Sequence, residues 1–222
     1  MLAKKVIIKT LERRPNIVIG ADISYDTRKE IGYCAAVAID IRDFKIVDHV
    51  IVSGSVTIPY VPGYLAFREA PLIFRALKRL SRVSLKESVL MINGHGIAHP
   101  RRFGIASHVG VVLDLPSIGV AEKLLAGEEI YVGGRRVVVI DNTIAGIVLE
   151  NRKNKKKYYA TIGHRVSLED VEYYMRRLFV EDFTGSKPPY PIYLADTMSR
   201  AARKGQDQLL RWIRSNVHIF EK

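Results

Sequence analysis

Two acids and one stretch rich in glycine and histidine are the residues whose types and spacing could do chemistry. Asp22 sits inside Ile17-Val18-Ile19-Gly20-Ala21-Asp22-Ile23, where an unpartnered carboxylate would be costly to bury. Taken alone it reads first as a capped or salt-bridged acid at a strand end. Glu69, in Phe67-Arg68-Glu69, is taken alone a solvated helix residue paired to Arg68 or Lys78. Together they are acids from different elements, which is how a hard divalent cation collects its oxygen ligands. The run from Asn93-Gly94-His95-Gly96 through His99-Pro100-Arg101-Arg102-Phe103-Gly104 to His108 is more specific, with three glycines, three histidines and two arginines. Backbone amides, ring nitrogens and guanidinium groups there can converge on an anion. Zinc is the competing reading, but His95, His99 and His108 lack cysteine support and do not form His-Glu-x-x-His. His108 also reads as a buried helix residue.

The elements that must position these residues are visible in the hydrophobic pattern. Residues 16–25, 31–41 and 45–57 are rich in Val, Ile and Ala and are separated by Asp26-Thr27-Arg28-Lys29 and Arg42-Asp43. Such short connections predict an antiparallel meander. Pro59-Tyr60-Val61-Pro62-Gly63 breaks the pattern, and Leu65, Leu72, Ile73, Ala76, Leu77 and Leu80 then recur at helical spacing. Residues 88–92 form a short apolar run that opens into Asn93, as expected of a buried central strand whose carboxyl end faces a site. A helix is expected over 104–113 and a strand over 117–120. Residues 136–140, 145–149 and 158–162 predict a later hairpin set. Ser167-Leu168-Glu169-Asp170 is a capping pattern that begins a further helix, and residues 195–217 read as one basic helix that closes the chain. The charge run Arg152-Lys153-Asn154-Lys155-Lys156-Lys157 joins two strand-like segments; it reads first as a solvated hairpin tip and second as a contact to a phosphate backbone.

The chain has 222 residues, 48% hydrophobic, with a mean hydropathy near zero, which bounds it to a well-cored globular protein and excludes disordered, collagen-like and disulfide-scaffold classes. The net charge of +12 points to a polyanionic partner, nucleic acid ahead of an acidic membrane surface. No apolar run approaches the roughly 20 residues needed to span a bilayer, and the amino terminus lacks a signal-peptide core, so an intracellular, cytoplasmic location without membrane association is expected. Cys34, the one cysteine, forms neither an internal disulfide nor a multi-cysteine metal site. No linker marks a second domain, so residues 1–222 are expected to form one.

Five stretches in order resemble the endonuclease V family of inosine-directed nucleases: Gly20-Ala21-Asp22-Ile23-Ser24, Pro59 to Glu69, Asn93 to His108, Ser117-Ile118-Gly119-Val120-Ala121 and Gly163-His164-Arg165. The resemblance covers essentially the whole chain. It implies an α/β fold of RNase H-like type, a mixed central sheet flanked by helices. It also implies a Mg²⁺-dependent phosphodiesterase of DNA repair, with Mn²⁺ as a substitute, acting as a monomer on inosine-containing DNA. That activity nicks the second phosphodiester bond 3′ to deoxyinosine and leaves 3′-hydroxyl and 5′-phosphate ends. An inosine-specific ribonuclease is the alternative on the same motifs. Carried over by position, Asp22, Glu69 and Asn93 match metal ligands and catalytic residues, and His164 matches a catalytic histidine. Tyr60, flanked by Pro59 and Pro62, matches a wedge that fills the gap left by an extruded base, although an ordinary turn aromatic would also fit. Gly63, Leu65, Gly94, Gly104, Ile105, Ala121 and Leu125 match the pocket for that base, where small residues leave space and amides read a purine edge. His99, like His164, matches a histidine near the scissile phosphate, and Asp196 is an acidic neighbour on the last helix.

Two positions depart from the family pattern. Asn93 stands where the family has Asp, and Glu122 where it has Lys after Gly-Val-Ala. Asparagine keeps the shape and one oxygen of aspartate but not its charge, so it should bind a divalent ion less well. Glu122 reverses a charge close to the phosphate; Lys123 is one residue on, although on a strand it would point the other way. Three explanations fit: an introduced exchange that traps substrate uncut, which suits Asn93 best, a natural variant of reduced activity, and an inosine-binding protein without catalysis. A structural nuclease-like protein that binds duplex without base preference is a weaker rival.

Overall fold

The computed structural model describes residues 2–59, 61, 63–151, 155–179 and 187–217. Tyr60 and Pro62, named above for the wedge, lie outside the described residues. Nine strands form one sheet in the order β3-β2-β1-β4-β5-β9-β8-β7-β6. They are β1 (Ile17–Asp26), β2 (Ile31–Asp40), β3 (Lys45–Ser55), β4 (Ser88–Asn93), β5 (Ser117–Ala121), β6 (Glu128–Val132), β7 (Arg135–Ile140), β8 (Thr143–Glu150) and β9 (Lys157–His164). The first three form the antiparallel meander, β1, β4 and β5 run parallel, and the remaining pairs are antiparallel.

Alternation along the central strands sends side chains to two cores. Val18, Val89, Met91, Ile118 and Val120 face one layer; Ile19, Ala21, Leu90 and Ile92 face the other. The second layer is covered by α1 (Leu65–Leu77) and α2 (Ile105–Leu113), the first by α3 (Leu168–Leu178) and α4 (Tyr190–Lys204). The predicted capping box is present at α3: Ser167 Oγ accepts from the Asp170 amide at 3.3 Å, and Asp170 accepts from the Ser167 amide at 3.1 Å. At the start of α4 the chain passes so close to β1 that a Cβ on Gly20 would run into the Pro191 carbonyl. That contact seats α4 across the strand bearing Asp22.

The single closing helix predicted over 195–217 is corrected to two. Its amphipathic period runs on, but α4 ends at Lys204, and Gly205, at φ +123°, turns the chain into α5 (Gln206–Val217). Only a residue without a Cβ adopts that backbone at little cost. Strand β6 was not predicted. Most of its residues are exposed, so it lacks the half-buried alternation by which a strand is recognised.

Candidate active site

The parallel register places Ala21 beside Ile92, so Asp22 and Asn93 follow as neighbours where that pairing ends, midway along β1 and at the carboxyl end of β4. Both share the parity of Val18 and Met91 and turn toward α4. There the Asn93 Nδ2 amide donates to Asp22 Oδ1. The Ser199 hydroxyl of α4 lies 3.0 Å from Asp22 Oδ2, 2.9 Å from the Asp196 carbonyl and 3.0 Å from Ser24 Oγ. One hydroxyl proton serves one acceptor at a time, so Ser24 supplies the second hydrogen bond of this chain. Glu69 arrives from the opposite layer on α1, and its Oε1 accepts from Tyr25 Oη at 2.6 Å. Arg68 lies 4.3 Å over the Tyr25 ring.

Both acids are buried, and neither has an ion pair with a base among the described residues. Burial raises the pKa of Asp22, and the nearby Asp196 adds to the rise. Burial also pushes Glu69 up to about 8, with the Asp22 charge contributing in the same direction. Such carboxylates are short of positive charge, and a cation would restore it. Among the described residues no group of three or more His, Cys, Asp or Glu is gathered as a metal cage. Two carboxylates and an amide oxygen nevertheless fit Mg²⁺, which keeps much of its water and is commonly held by one or two carboxylates plus substrate phosphates.

A cavity of about 460 Å³ begins at Gly94, the residue after Asn93. It gathers eight of the residues carried over from the resemblance: Gly63 and Leu65 from the entry to α1, Gly94 and His99 after β4, Gly104 and Ile105 at the start of α2, and Ala121 and Leu125 after β5. Gly94, at φ +139°, and Gly104 are its tight points, since a Cβ would stand 2.5 Å from Ile105 Cγ2 at the first and 2.3 Å from the His95 carbonyl oxygen at the second. Pro59 is exposed and does not line the cavity. His99 accepts from the Arg101 amide at Nδ1 (3.1 Å), and its burial, with Arg101 beside it, lowers its pKa. His95 donates from Nε2 to the Lys123 carbonyl at 2.8 Å, tying the loop after β4 to the loop after β5. Its Nδ1 is buried without a hydrogen-bond partner among the described residues, and burial favours the neutral ring.

A second cavity, of about 300 Å³, adjoins the first through Ala121 and is lined by Asn93, Glu122, Tyr158, Asp196 and Arg200. Asp196 pairs with Arg200 at 2.7 Å, and Glu122 with Lys156 at 2.6 Å. Lys123 does not stand in for a lysine at 122, because it lines the first cavity.

The expected place of His164 beside the scissile phosphate is corrected. In the antiparallel pairing of β5 and β9 it lies opposite Ser117, at the far end of β5 from Ala121. Four residues of strand put it about 13 Å from the carboxyl end where Asn93 lies. There it is buried, accepting from the Ile7 amide at 3.2 Å and facing Asp114 Oδ1 at 3.3 Å. Ser199 and Tyr25 were not singled out in the sequence, and Lys156 stood out there only within the charge run 152–157. The one available signal was the spacing of Asp196, Ser199 and Arg200, which puts all three on one face of a helix.

A mixed sheet with helices on both faces, an aspartate and an asparagine side by side on its parallel strands and a glutamate brought in on a helix is the architecture of an RNase H-like nuclease. A family model described as Endonuclease V matches residues 1–197, and the chain belongs to that family. An endonuclease V of Aeropyrum pernix is 42% identical over 203 residues, 91% of this chain and 76% of that one. The solved endonuclease V of Streptomyces avermitilis superposes with a TM-score of 0.80 at 32% identity, covering 91% of this chain and 89% of the other. An endonuclease V of Ciona intestinalis, crystallised with a 24mer DNA containing an inosine followed by a ribo-adenosine, has a TM-score of 0.76 at 23% identity. It covers 91% of this chain and 93% of its own, a likeness of fold.

Proposed function

We propose that this protein is an inosine-directed endonuclease that uses Mg²⁺ to nick DNA at the second phosphodiester bond 3′ to deoxyinosine, leaving 3′-hydroxyl and 5′-phosphate ends. The observation that carries the reading is the Asn93–Gly94 step: Gly94 lines the 460 Å³ cavity, while Asn93 hydrogen-bonds Asp22 and lines the adjoining cavity. A base extruded into the cavity brings its own 3′ backbone past the acids. The apolar and glycine walls accept a flat purine, and the loop amides are available to its edge.

Asp22 and Glu69 would hold the cation, with the residue at 93 beside them. When bound, Mg²⁺ supplies Lewis-acid stabilisation of charge on the reacting phosphate and leaving 3′ oxygen. Ser199 and Tyr25 fix the rotamers of the two carboxylates through their hydroxyls, so the acids are held before substrate arrives. His99 closes the cavity as a neutral ring. At 93, an amide gives weaker cation affinity than a carboxylate, and the turnover of this chain is reduced accordingly.

A second reading, an inosine-binding protein without turnover, draws on the hydrogen bond from Asn93 to Asp22, which satisfies the acid without a cation. A nicking assay on a labelled inosine-containing duplex, with Mg²⁺, Mn²⁺ or EDTA, separates the two. A metal-dependent product one nucleotide beyond inosine supports the hydrolase, and binding without product supports the second reading. Absence of any inosine preference would overturn both.

A further inference from the structure

The basic run before β9 has three described lysines, and each finds an acid. Lys155 meets Glu150 at 3.5 Å and Lys157 meets Glu129 at 2.9 Å, both on the outer flank of the sheet. Lys156, with the opposite parity, turns inward to Glu122 at 2.6 Å and lies 5.3 Å from the Tyr158 ring. The pairing of Ala121 with Tyr159 brings the hairpin over the carboxyl end of β5, so the ammonium is bonded to Glu122, which with Asn93 lines the rim of the 300 Å³ cavity.

That rim is where an incoming strand must pass. A nucleotide whose base occupied the first cavity would meet the second at their shared wall, Ala121, and a backbone continuing 3′ over Asn93 would enter it. The acids of the second cavity, Glu122 and Asp196, repel a phosphate unless a cation faces it. Arg200 is held to Asp196 one turn earlier on the same helix. The Lys156–Glu122 pair joins two exposed side chains, 40% and 54% accessible, and such pairs are weak enough to exchange partners.

We propose that Lys156 is a substrate-binding residue for the phosphodiester on the 3′ side of the extruded base. Glu122 holds its ammonium at the rim until the phosphate displaces the carboxylate. This rests on the reading of the first cavity as a base pocket. A cation is thereby supplied to the site from the hairpin while position 122 carries an acid.

Binding of a labelled inosine-containing DNA duplex and its inosine-free twin, measured in EDTA across a salt series, tests this. Lys156→Ala and Lys156→Gln should each weaken binding to the inosine duplex by about eightfold at about 0.1 M salt, and flatten the log-log salt slope by about 0.9, which is the loss of one phosphate contact. Lys155→Ala, whose lysine pairs outward, should change affinity by less than about twofold. Glu122→Gln should tighten binding, and the transplanted charge in Glu122→Lys with Lys156→Gln should return it to at least the starting value. Equal losses for Lys155→Ala and Lys156→Ala, or no loss for Lys156→Ala, would overturn the assignment and leave an ordinary surface ion pair. If the unsubstituted protein shows no inosine preference while Lys156→Ala still loses one phosphate contact, the base-pocket reading fails and the phosphate site stands.

Discussion

Replacing Asn93 by aspartate should make the stability of this protein depend on a divalent cation. The Asn93 amide now donates to a carboxylate that is 6% exposed, and a hydrogen bond to a charged group contributes about 1.5–3 kcal/mol. In Asn93→Asp that donor becomes a second carboxylate. Two unit charges about 4 Å apart repel by about 4 kcal/mol at an effective dielectric constant of about 20. The full sum is not reached, because one of the pair takes up a proton once repulsion exceeds the cost of protonation. A net loss of about 3 kcal/mol in EDTA corresponds to a fall in Tm of roughly 6–12 °C for a chain of this length. Mg²⁺ reverses the sign of the local problem. At a hundredfold excess over its Kd it returns about 2.7 kcal/mol by mass action, nearly the whole deficit. Differential scanning calorimetry of both proteins in EDTA and in a Mg²⁺ series measures this, and nicking of the inosine duplex should rise in the same order. If Asn93→Asp melts with the unsubstituted protein in EDTA and gains no more from Mg²⁺, residue 93 is not beside a cation site.

Three further outcomes follow from the same geometry. Glu69 has its pKa raised to about 8, so its contribution to stability without metal is complete below about pH 4.5 and is lost as pH rises through about 8; the Tm of Glu69→Gln in EDTA should lack that decline, which a paired pH series reads out against the shared histidine background. Gly94→Ala should abolish the inosine preference and lower stability by about 1–3 kcal/mol, since its Cβ meets Ile105 at 2.5 Å in a backbone at φ +139°, and duplex binding beside urea unfolding checks both effects. His164→Ala should cost about 1–3 kcal/mol through its lost buried hydrogen bonds while the nicking rate of the folded protein stays within about twofold.

The central fold was legible because β1, β2, β3 and β4 are long or continuous apolar segments with turn residues between them. The start of α4 was not, because Pro189 and Pro191 read as loop although proline fits the first turn of a helix. The residues gathered at the base cavity came from motif positions, and the topology brings them together. His164 shows the limit of that route. Its Gly-His-Arg motif identifies the residue, but which end of the sheet it reaches is decided by the antiparallel pairing of β5 and β9, and strand direction is not written in a tripeptide. Ser199 lies 177 positions from Asp22 and has no local pattern, whereas Lys156 was legible as part of a basic run but its partner, 34 positions away, was not.

The two departures from the family pattern are connected through the hairpin lysine. An aspartate at 93 with a lysine at 122 would contribute one negative and one positive charge. Here Asn93 is neutral and Glu122 negative, so the same two positions sum to −1, and Lys156, paired with Glu122, offsets that charge from the hairpin. Position has moved as well. The acid has left the side of Asp22, where it would help hold a cation, for the end of β5, where it holds an ammonium. Attraction for a polyanion depends on the sum and on the overall charge of +12, whereas cation affinity depends on how many carboxylates converge within coordination distance. An amide at 93 should therefore act on cation affinity, and an acid at 122 on strand binding. The first cavity is separate from both, because its lining is mostly glycine, aliphatic and aromatic, with Lys123 the one lysine or arginine among its lining residues. An exchange at residue 93 should accordingly change turnover with little effect on inosine preference, and an exchange at Gly94, the very next residue, should do the reverse.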